Sequence, residues 1–400
     1  MEKMRHCCWL PVFVCVAAWA AEIPSGTEIH VRLNTAINTS TAKAKQPVEF
    51  VVIAPVLVGG QIAIGAGSKI EGQVKSVTPA AKAEDQATLI LQFDRIVSPD
   101  GKQAPLNAIL KGVDNARESV DDQGKITGIV ASQTGSGRLD QGINKVAERN
   151  QGLADILSAV KQAVLKQTDA NIAYDPGVEM TIQFTKALQW NHPGPALNIR
   201  GIEPADSLAA MVNREPFVTM ATSPRRPSDI TNVMFIGSAA DIQKAFQSAG
   251  WSVAEKLGQK SKFETFRAMA EERGYKEAPV SILLLDDRPP DLVFEKGTNT
   301  FNARHHLRIW RRPDTFDGKA VWVCGATHDI GIDFSEKDLT FIHKIDSHID
   351  DERAKVVNDL IFAGAIRGLA LVDRPNAPHS GHNATGDAFE TDGRMAVLEF

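Results

Sequence analysis

An alternation of apolar and polar residues with period two runs through most of the first 190 residues, and it constrains the fold more than any other feature. Residues 27–33 read TEIHVRL and place Ile29, Val31 and Leu33 on one side of an extended strand. Residues 89–93 repeat the pattern, and residues 98–101, SPDG, form a strong turn signal. Short strands with one buried face, joined by turns, predict an all-β barrel or sandwich over residues 23–190.

One segment within this half departs from period two. Residues 114–137 are polar and glycine-rich, and the apolar residues that follow recur at helical spacing. These residues are Leu153, Ile156, Leu157, Val160 and Val164. We therefore expect a helical insertion at about residues 114–170, with its apolar face packed on its own domain or turned to a membrane or partner.

The length of 400 residues exceeds what one hydrophobic core usually organises, so the chain should fold as two domains. Prolines interrupt residues 191–229, which read as a linker. After it, residues 232–236 are typical of a buried strand, and Ser238 with Asp241 predicts the start of a helix ending before Gly250. This change of pattern predicts an α+β domain with a mixed sheet over residues 230–400.

The first 20 residues have the pattern of an export signal. Lys3 and Arg5 precede an apolar run, residues 7–20, which ends in small residues at the cleavage positions. Cleavage after Ala20 is the prediction, and an uncleaved membrane anchor is the alternative. No later run reaches transmembrane length, and a net charge of -5 gives no general attraction to nucleic acid. We therefore expect an exported protein of the periplasm or the outer-membrane periphery.

Export with cleavage would remove every cysteine except Cys324. The mature chain could then form no internal disulfide, in spite of an oxidising destination. Stability should come from two ordinary cores.

Residues 304–353 hold five of the chain's ten histidines and are the candidate functional segment. As a strand, residues 304–310 place Arg304, His306 and Arg308 on one face and His305 on the other, so His305 and His306 cannot serve the same site. The first face suits a phosphate or a carboxylate. Its alternative role is a solvated or ion-paired strand face.

Further polar residues follow at strand ends, where clefts form. The candidates for catalysis are His306, Arg308, His328, Asp329 and His343. The candidates for ligand binding are Arg304, Asp346, Asp350 and Arg353. Three readings stay open: a divalent metal held by His328, His343 and His348, acid-base chemistry without a metal, and carboxylates that only favour a helix N-terminus.

Several motifs of the first half resemble the outer barrel of TrbI-type subunits of conjugation and type IV secretion channels. They are IPSGTEIHVRL, IGAGSKIEGQV, LILQFDRIVSPDGK and DPGVEMTIQFTKAL, with a helical insertion between the last two. The resemblance covers residues 23–190. It implies a barrel that docks to envelope or secretion-machinery proteins.

The second half resembles the LssY-type C-terminal domain from about residue 229 to residue 400. The motifs are RHHLRIW, ATHDIGI, HKIDSHIDDER and NATGDAFETDGR. The resemblance implies an envelope protein associated with secretion, without an established reaction. It adds Asp387 and Asp392, together with Asn383, to the candidate ligand-binding residues.

These observations support two hypotheses. In the first, the chain is an exported envelope component whose C-terminal domain binds an anionic small molecule or a protein partner. In the second, it is a hydrolase of phosphate esters or lipid-linked substrates, with His328 and His343 as metal ligands or acid-base groups and Arg308 as an oxyanion clamp.

Overall fold

The structure is a computed structural model that describes residues 21–59, 61–164, 168–190, 192, 199–203, 206–222, 224–254, 282–297, 304–335 and 340–400. The predicted signal peptide, residues 1–20, lies outside the described residues. Within these ranges the chain is mostly β, with few helices. Among the described helices, none combines the length and the apolar character needed to cross a membrane.

The first half is built from short antiparallel strands. They are β1 (Ala21–Ile23), β2 (Glu28–Leu33), β3 (Ile37–Asn38), β4 (Pro47–Val52), β5 (Val56–Val58), β6 (Gln61–Ile64), β7 (Lys69–Thr78), β8 (Thr88–Val97), β9 (Gln103–Pro105), β10 (Ala108–Val113), β11 (Ser119–Val120), β12 (Lys125–Thr127), β13 (Ala173–Tyr174), β14 (Glu179–Phe184) and β15 (Leu188–Trp190). The main sheet has the order β10-β14-β2-β4-β7-β8-β12-β11, with β9 paired to β8. It curls into a nearly closed barrel, which confirms the predicted class.

The barrel encloses the apolar side of each strand. Ile29, Val31 and Leu33 of β2 are almost completely buried, as the alternation predicted. The turn between β11 and β12, at one edge of the sheet, packs against β10 at the other edge. Gly124 in this turn has a φ of +76°, and a Cβ there would lie 3.0 Å from the backbone nitrogen of Leu110. Glycine therefore lets the two edges meet.

The predicted insertion contains β11, β12, a 3₁₀ turn (Ala131–Gln133) and two helices, α1 (Gly135–Ala147) and α2 (Gln151–Val164). Ala154 of α2 is buried, whereas Leu153 is 46% and Leu157 is 38% exposed. At these two positions the apolar residues of α2 face outward. The side chains of Ile156, Val160 and Val164 lie outside the described part.

The second half contains a mixed sheet with helices, as predicted for its class. Its helices are α3 (Asp206–Arg214), α4 (Ala239–Ser248) and α5 (Ile349–Phe362). Its strands are β16 (Arg200–Gly201), β17 (Val218–Thr222), β18 (Arg225–Ile230), β19 (Val233–Ile236), β20 (Ser252–Val253), β21 (Leu283–Leu284), β22 (Leu292–Lys296), β23 (Arg304–Phe316), β24 (Lys319–Ser335), β25 (Thr340–Ile345), β26 (Gly368–Asp373), β27 (Ser380–His382), β28 (Ala388–Glu390) and β29 (Arg394–Glu399). The described residues of the expected linker, 191–229, thus include β16, α3, β17 and most of β18.

The large sheet has the order β16-β26-β29-β19-β24-β23-β22-β20, and β25 extends it from β24. The pairs β16 with β26 and β19 with β29 are parallel, and the other neighbours in the sheet are antiparallel. The helix predicted at Ser238 is α4: the Ser238 side chain accepts a hydrogen bond from the backbone N–H of Asp241.

The two faces of this sheet pack against different layers. On the first, which we call the helical face, Leu307 and Ile309 pack with residues of α4 and α5. On the second, which we call the opposite face, Trp310 and Val323 pack with α3 and with the small sheet β18-β17-β21. Polar residues continue both faces at the end of β23 and β24 that holds the histidines.

Candidate functional site

Two histidines lie side by side on the helical face. His305 of β23 is the direct cross-strand partner of His328 of β24. Their rings are nearly parallel, with centroids 4.1 Å apart and planes inclined by 20°. Because directly opposed residues of antiparallel strands share a face, the neighbouring pairs Arg304–Asp329 and His306–Thr327 point to the opposite face.

The histidine pair borders a cleft between the barrel and the C-terminal domain, with a cavity of about 500 Å³. The barrel contributes β2, β14, the end of β10 with Asp114 and the segment after β4, and the C-terminal domain contributes β23, β24, α5 and the turn before α5. The wall is rich in carboxylates and imidazoles. Its titratable residues are Glu28, His30, Asp114, Glu179, His305, His328, Asp346, His348, Asp351, Glu352, Lys355 and Asp359.

His305 bridges the two domains between two carboxylates. Its Nδ1 lies 2.6 Å from Oε2 of Glu352 in α5, and its Nε2 lies 2.9 Å from Oδ2 of Asp114 in the barrel. Burial alone disfavours the imidazolium, but the charges of Asp114 and Glu352 outweigh it and raise the pKa of His305 to about 10. Burial likewise opposes the charge of Asp114, yet His305 holds the pKa of this carboxyl well below its usual value. Protonated His305 is therefore a stable cation at neutral pH.

His328 has the opposite electrostatic character. Burial and then the charge of His305 lower its pKa, so its imidazole is neutral. Its Nε2 lies 2.9 Å from Oδ1 of Asn115, which follows Asp114 in the barrel. A neutral ring with a nitrogen at the cleft can act as a base or as a metal ligand.

A second contact beside the cleft joins the domains through buried charges. Glu179 of β14 receives Nζ of Lys296 at 2.7 Å, and Lys355 and Arg32 also donate to it. Lys296 and Lys355 in turn donate to Asp359 of α5. Burial opposes ionisation of Glu179, but Lys355, Lys296 and Arg32 outweigh it and hold its pKa well below its usual range. We call Arg32, Glu179, Lys296, Lys355 and Asp359 the junction network.

The lysines of the junction network differ in character. Burial and the adjacent Lys355 lower the pKa of Lys296. Burial also opposes the charge of Lys355, but Asp359, Glu179 and Asp114 raise its pKa overall. The carboxylates of the two domains together thus balance the buried cations. Without this balance, a buried cation would be strongly destabilising.

The two arginines expected to bind an anion, Arg304 and Arg308, lie on the opposite face and are buried. Arg304 and Arg308 are each 3% exposed. Arg304 contacts Glu295 at 2.9 Å and Asp329 at 3.4 Å, and Arg308 donates to Asp229 at 3.0 Å. These carboxylates neutralise both arginines inside the protein. The structure thus has the ion-paired strand face that was the alternative to anion binding.

The residues expected to converge do not all meet. Nε2 of His306 lies 2.7 Å from the hydroxyl of Thr327, and Nδ1 lies 3.4 Å from Asp329, all on the opposite face. His328 lies in the cleft instead. The side chain of His343 lies outside the described residues, although its backbone pairs with Ile332.

Two further predicted residues reach the rim of the cleft. Asp346 and His348 both line it, and the side chain of His348 is 67% exposed. Its Nδ1 lies 3.3 Å from Oδ1 of Asp346. Of the three expected metal ligands, His328 and His348 therefore border one cavity.

The remaining predicted ligand-binding residues form hydrogen bonds within the β27–β28 hairpin or to the segment that follows it. Arg353 donates two hydrogen bonds of 2.8 Å to Asp392, and Asp350 accepts from the backbone N–H of Asp392 and from Thr391. Burial disfavours the ionised form of Asp392, but Arg353 and Arg394 outweigh burial and hold the pKa of this carboxyl well below its usual value. Asp387 accepts from Asn383 and from Thr385 within its own turn. All of these groups have structural partners away from the cleft wall.

Sequence reasoning missed the barrel's share of the site. Asp114, Asn115, Glu179, Lys296 and Lys355 were not among the candidate residues of the sequence analysis. One signal was present: parity along β23 places His305 on the face that carries Leu307 and Ile309, so it had to be buried beside a core. That pattern could have singled out His305 in preference to His306.

Comparison with known proteins gives one family match and a distant structural neighbour. No curated protein matches the chain. ComB10 of the Com type IV secretion system of Helicobacter pylori matches at 15% sequence identity and a TM-score of 0.24, over 42% of this chain and 90% of that one. The family model described as LssY C-terminus matches residues 211–395, which include His305 and His328 and exclude Asp114 and Glu179. This part of the chain is therefore similar to the LssY C-terminus family, as its sequence motifs indicated.

Proposed function

We propose that the protein is exported and works in the cell envelope as a binding protein, with its barrel and its LssY C-terminal domain sharing one ligand site. The observation that carries this proposal is the cavity of about 500 Å³, whose walls come from both domains. Cavities of this size at domain junctions are where proteins commonly hold small ligands. Export is supported by the basic, apolar and small-residue pattern of residues 1–20.

The ligand that fits this cleft is a cation or a group carrying one. Carboxylates outnumber lysines along the wall, and the arginines that sequence analysis assigned to an anion are paired on the opposite face. An anion would meet Glu28, Asp346 and Asp351, which line the cleft outside the pairs formed by His305 and the junction network. We therefore replace the anionic ligand of our first hypothesis with a cationic one.

Ligand binding is tested by thermal unfolding of the mature chain against a panel of divalent metal salts, polyamines and inorganic phosphate. Ala354 is exposed on the α5 wall of the cleft, so Ala354→Trp should fill the cavity and abolish any shift in melting temperature. Ala240→Trp is the matched control because Ala240 is exposed on α4, away from the cleft. A panel without any shift, or equal shifts in Ala354→Trp, would contradict the shared site.

Export is tested separately. Cell fractionation with an antibody against the chain, followed by N-terminal sequencing, should find the protein in the envelope fraction beginning at Ala21. Recovery in the cytoplasm with residues 1–20 intact would contradict export.

A hydrolase is the second candidate, and the neutral imidazole of His328 at the cleft supports it as a general base. Arg308 has no part in this version because it points to the opposite face. Phosphomonoesters and lipid-linked phosphates are the substrates to assay, with His328→Gln as the variant. Turnover that is equal in both proteins would exclude His328 as the base.

A further inference from the structure

We infer that His305, His328 and Asp114 form a site for a divalent transition-metal ion of the zinc type at the floor of the cleft. This inference rests on the proposed function, because it names the ligand class of the same cleft. Imidazole nitrogen and carboxylate oxygen are the ligands such ions take in proteins.

The donor atoms are already gathered. One ligand atom from each of Asp114, His305 and His328 lies within 4.8 Å of the other two. In a tetrahedral site with metal–ligand bonds of about 2.0–2.1 Å, neighbouring ligand atoms are about 3.3 Å apart. Side-chain rotations that move atoms by about 1 Å would bring the three donors to that spacing.

The strand pairing explains why both imidazoles reach one point. His305 and His328 are directly opposed in the β23–β24 pair, and their stacked rings present Nε2 towards the barrel residues Asp114 and Asn115. A cross-strand pair of this kind is a preformed two-nitrogen clamp on a rigid sheet. Asp114 supplies the third ligand from the facing domain.

Glu352 provides the supporting layer that metal-binding histidines commonly have. Its Oε2 lies 2.6 Å from Nδ1 of His305, which fixes a proton on that nitrogen and directs Nε2 towards Asp114. A metal ion then replaces the Nε2 proton of His305, which leaves to solvent, and His328 binds through Nε2 as the tautomer that carries its proton on Nδ1.

An independent observation also points to a ligand here. Glu352 lines the cavity with its side chain 3% exposed, and its Oε1 is buried without a hydrogen-bond partner among the residues that the structure describes. Buried carboxylate oxygens are normally satisfied, so an additional polar or charged occupant of the cleft is expected beside it. A water molecule or a polar group of the bound ligand would provide that partner.

Three protein ligands leave one coordination position of a tetrahedral ion open towards the cavity. Asp346 and His348 line the same cavity. The site would also join the two domains, because one ligand comes from the barrel and two come from the LssY C-terminal domain.

The test uses the full mature chain, freed of metal with a chelator and titrated with Co²⁺ and Zn²⁺. We expect one ion per chain by elemental analysis, a tetrahedral Co²⁺ absorption spectrum and a higher melting temperature with Zn²⁺. His328→Gln should lose the spectrum while its amide retains a hydrogen bond to Asn115. Glu352→Gln should weaken binding about 10–100-fold.

His382→Ala is the matched control, because His382 is exposed on β27 away from the cleft. Asp114→Asn, which keeps the size of the side chain, tests the barrel's ligand without a change of packing. Binding that is absent, or equal in His328→Gln and His382→Ala, would overturn the inference. A melting-temperature shift with polyamines but with no metal would refute the metal site and leave the shared cleft standing, whereas no shift with any ligand would refute both.

Discussion

Glutamine in place of Glu179 should destabilise the contact between the two domains more than any surface substitution. Glu179 is the anion in the junction network that Arg32, Lys296 and Lys355 all approach. Its side chain is 7% exposed and that of Lys296 is 6% exposed. Glu179→Gln keeps the shape of the side chain and removes its charge, so three cations would share Asp359 alone.

The expected magnitude follows from burial. Removing one partner of a buried ion pair costs about 3–5 kcal/mol, because the remaining charge stays out of water without compensation. For a domain of this size, about 2–4 °C of melting temperature corresponds to each kcal/mol, so the midpoint should fall by roughly 6–20 °C.

The assay is thermal unfolding of the purified protein by circular dichroism, with Glu71→Gln as the matched control. Glu71 pairs with Arg95 on the outside of the same barrel, and their side chains are 35% and 53% exposed. Such a pair contributes about 0–1 kcal/mol, so this control should change the midpoint by a few degrees at most. Equal midpoints for Glu179→Gln and Glu71→Gln would refute the argument that removing Glu179 leaves the cations of the junction network buried without a compensating charge.

Three further predictions concern stability. The folded-state pKa of Glu179 is lowered, so ionised Glu179 should stabilise the fold fully above its unfolded-state pKa of about 4.3, and this stabilisation should be lost as the pH falls below that value. Unfolding midpoints measured between about pH 3 and pH 7 should therefore drop more in the wild type than in Glu179→Gln. Arg308→Ala should lower the free energy of unfolding by about 3–5 kcal/mol in urea, because Asp229 would remain buried with its charge, and a loss below about 1 kcal/mol would contradict this. Gly124→Ala should cost about 1–2 kcal/mol from its positive φ, with more from the contact with Leu110, and an unchanged urea midpoint would show that the barrel edges do not meet there.

The fold class could be predicted because its signals are local. Alternation in β2 and the capping residues of α4 act within a few positions, and both elements form as their sequences indicate. Closure of the barrel could not be predicted from such local patterns. It depends on the close approach of Gly124 to Leu110 from the other edge of the sheet, and no pattern along either strand encodes that meeting.

The site was predicted in part, for a physical reason. The sequence shows that Arg304, His306 and Arg308 share a face, but it does not show what covers that face. A charged row was read as accessible, whereas Glu295, Asp329 and Asp229 neutralise it inside the domain. Isolated charges are rarely buried, but charges with buried partners are, and the partners lie far away in sequence.

The partner of His305 shows the same limit more strongly. Asp114 lies 191 positions earlier in the chain, at the end of a barrel strand. Neither residue has a local feature that indicates the other. Only the docking of the two domains creates the bridge Asp114–His305–Glu352, and with it the elevated pKa of His305.

The junction network is better understood as a positioning device than as a source of stability. Replacing buried ion pairs with apolar residues of similar volume is often neutral, or stabilising by about 1–4 kcal/mol, because burying charges carries a large desolvation penalty. Apolar surfaces, however, can slide, whereas Glu179 can meet Lys296 and Lys355 in one relative orientation of the domains. That orientation also sets the spacing between Asp114 and His305. A variant with apolar residues at Glu179, Lys296, Lys355 and Asp359 should therefore stay folded and still bind the cleft ligand less tightly, and unchanged affinity in that variant would show that the cleft does not depend on the network.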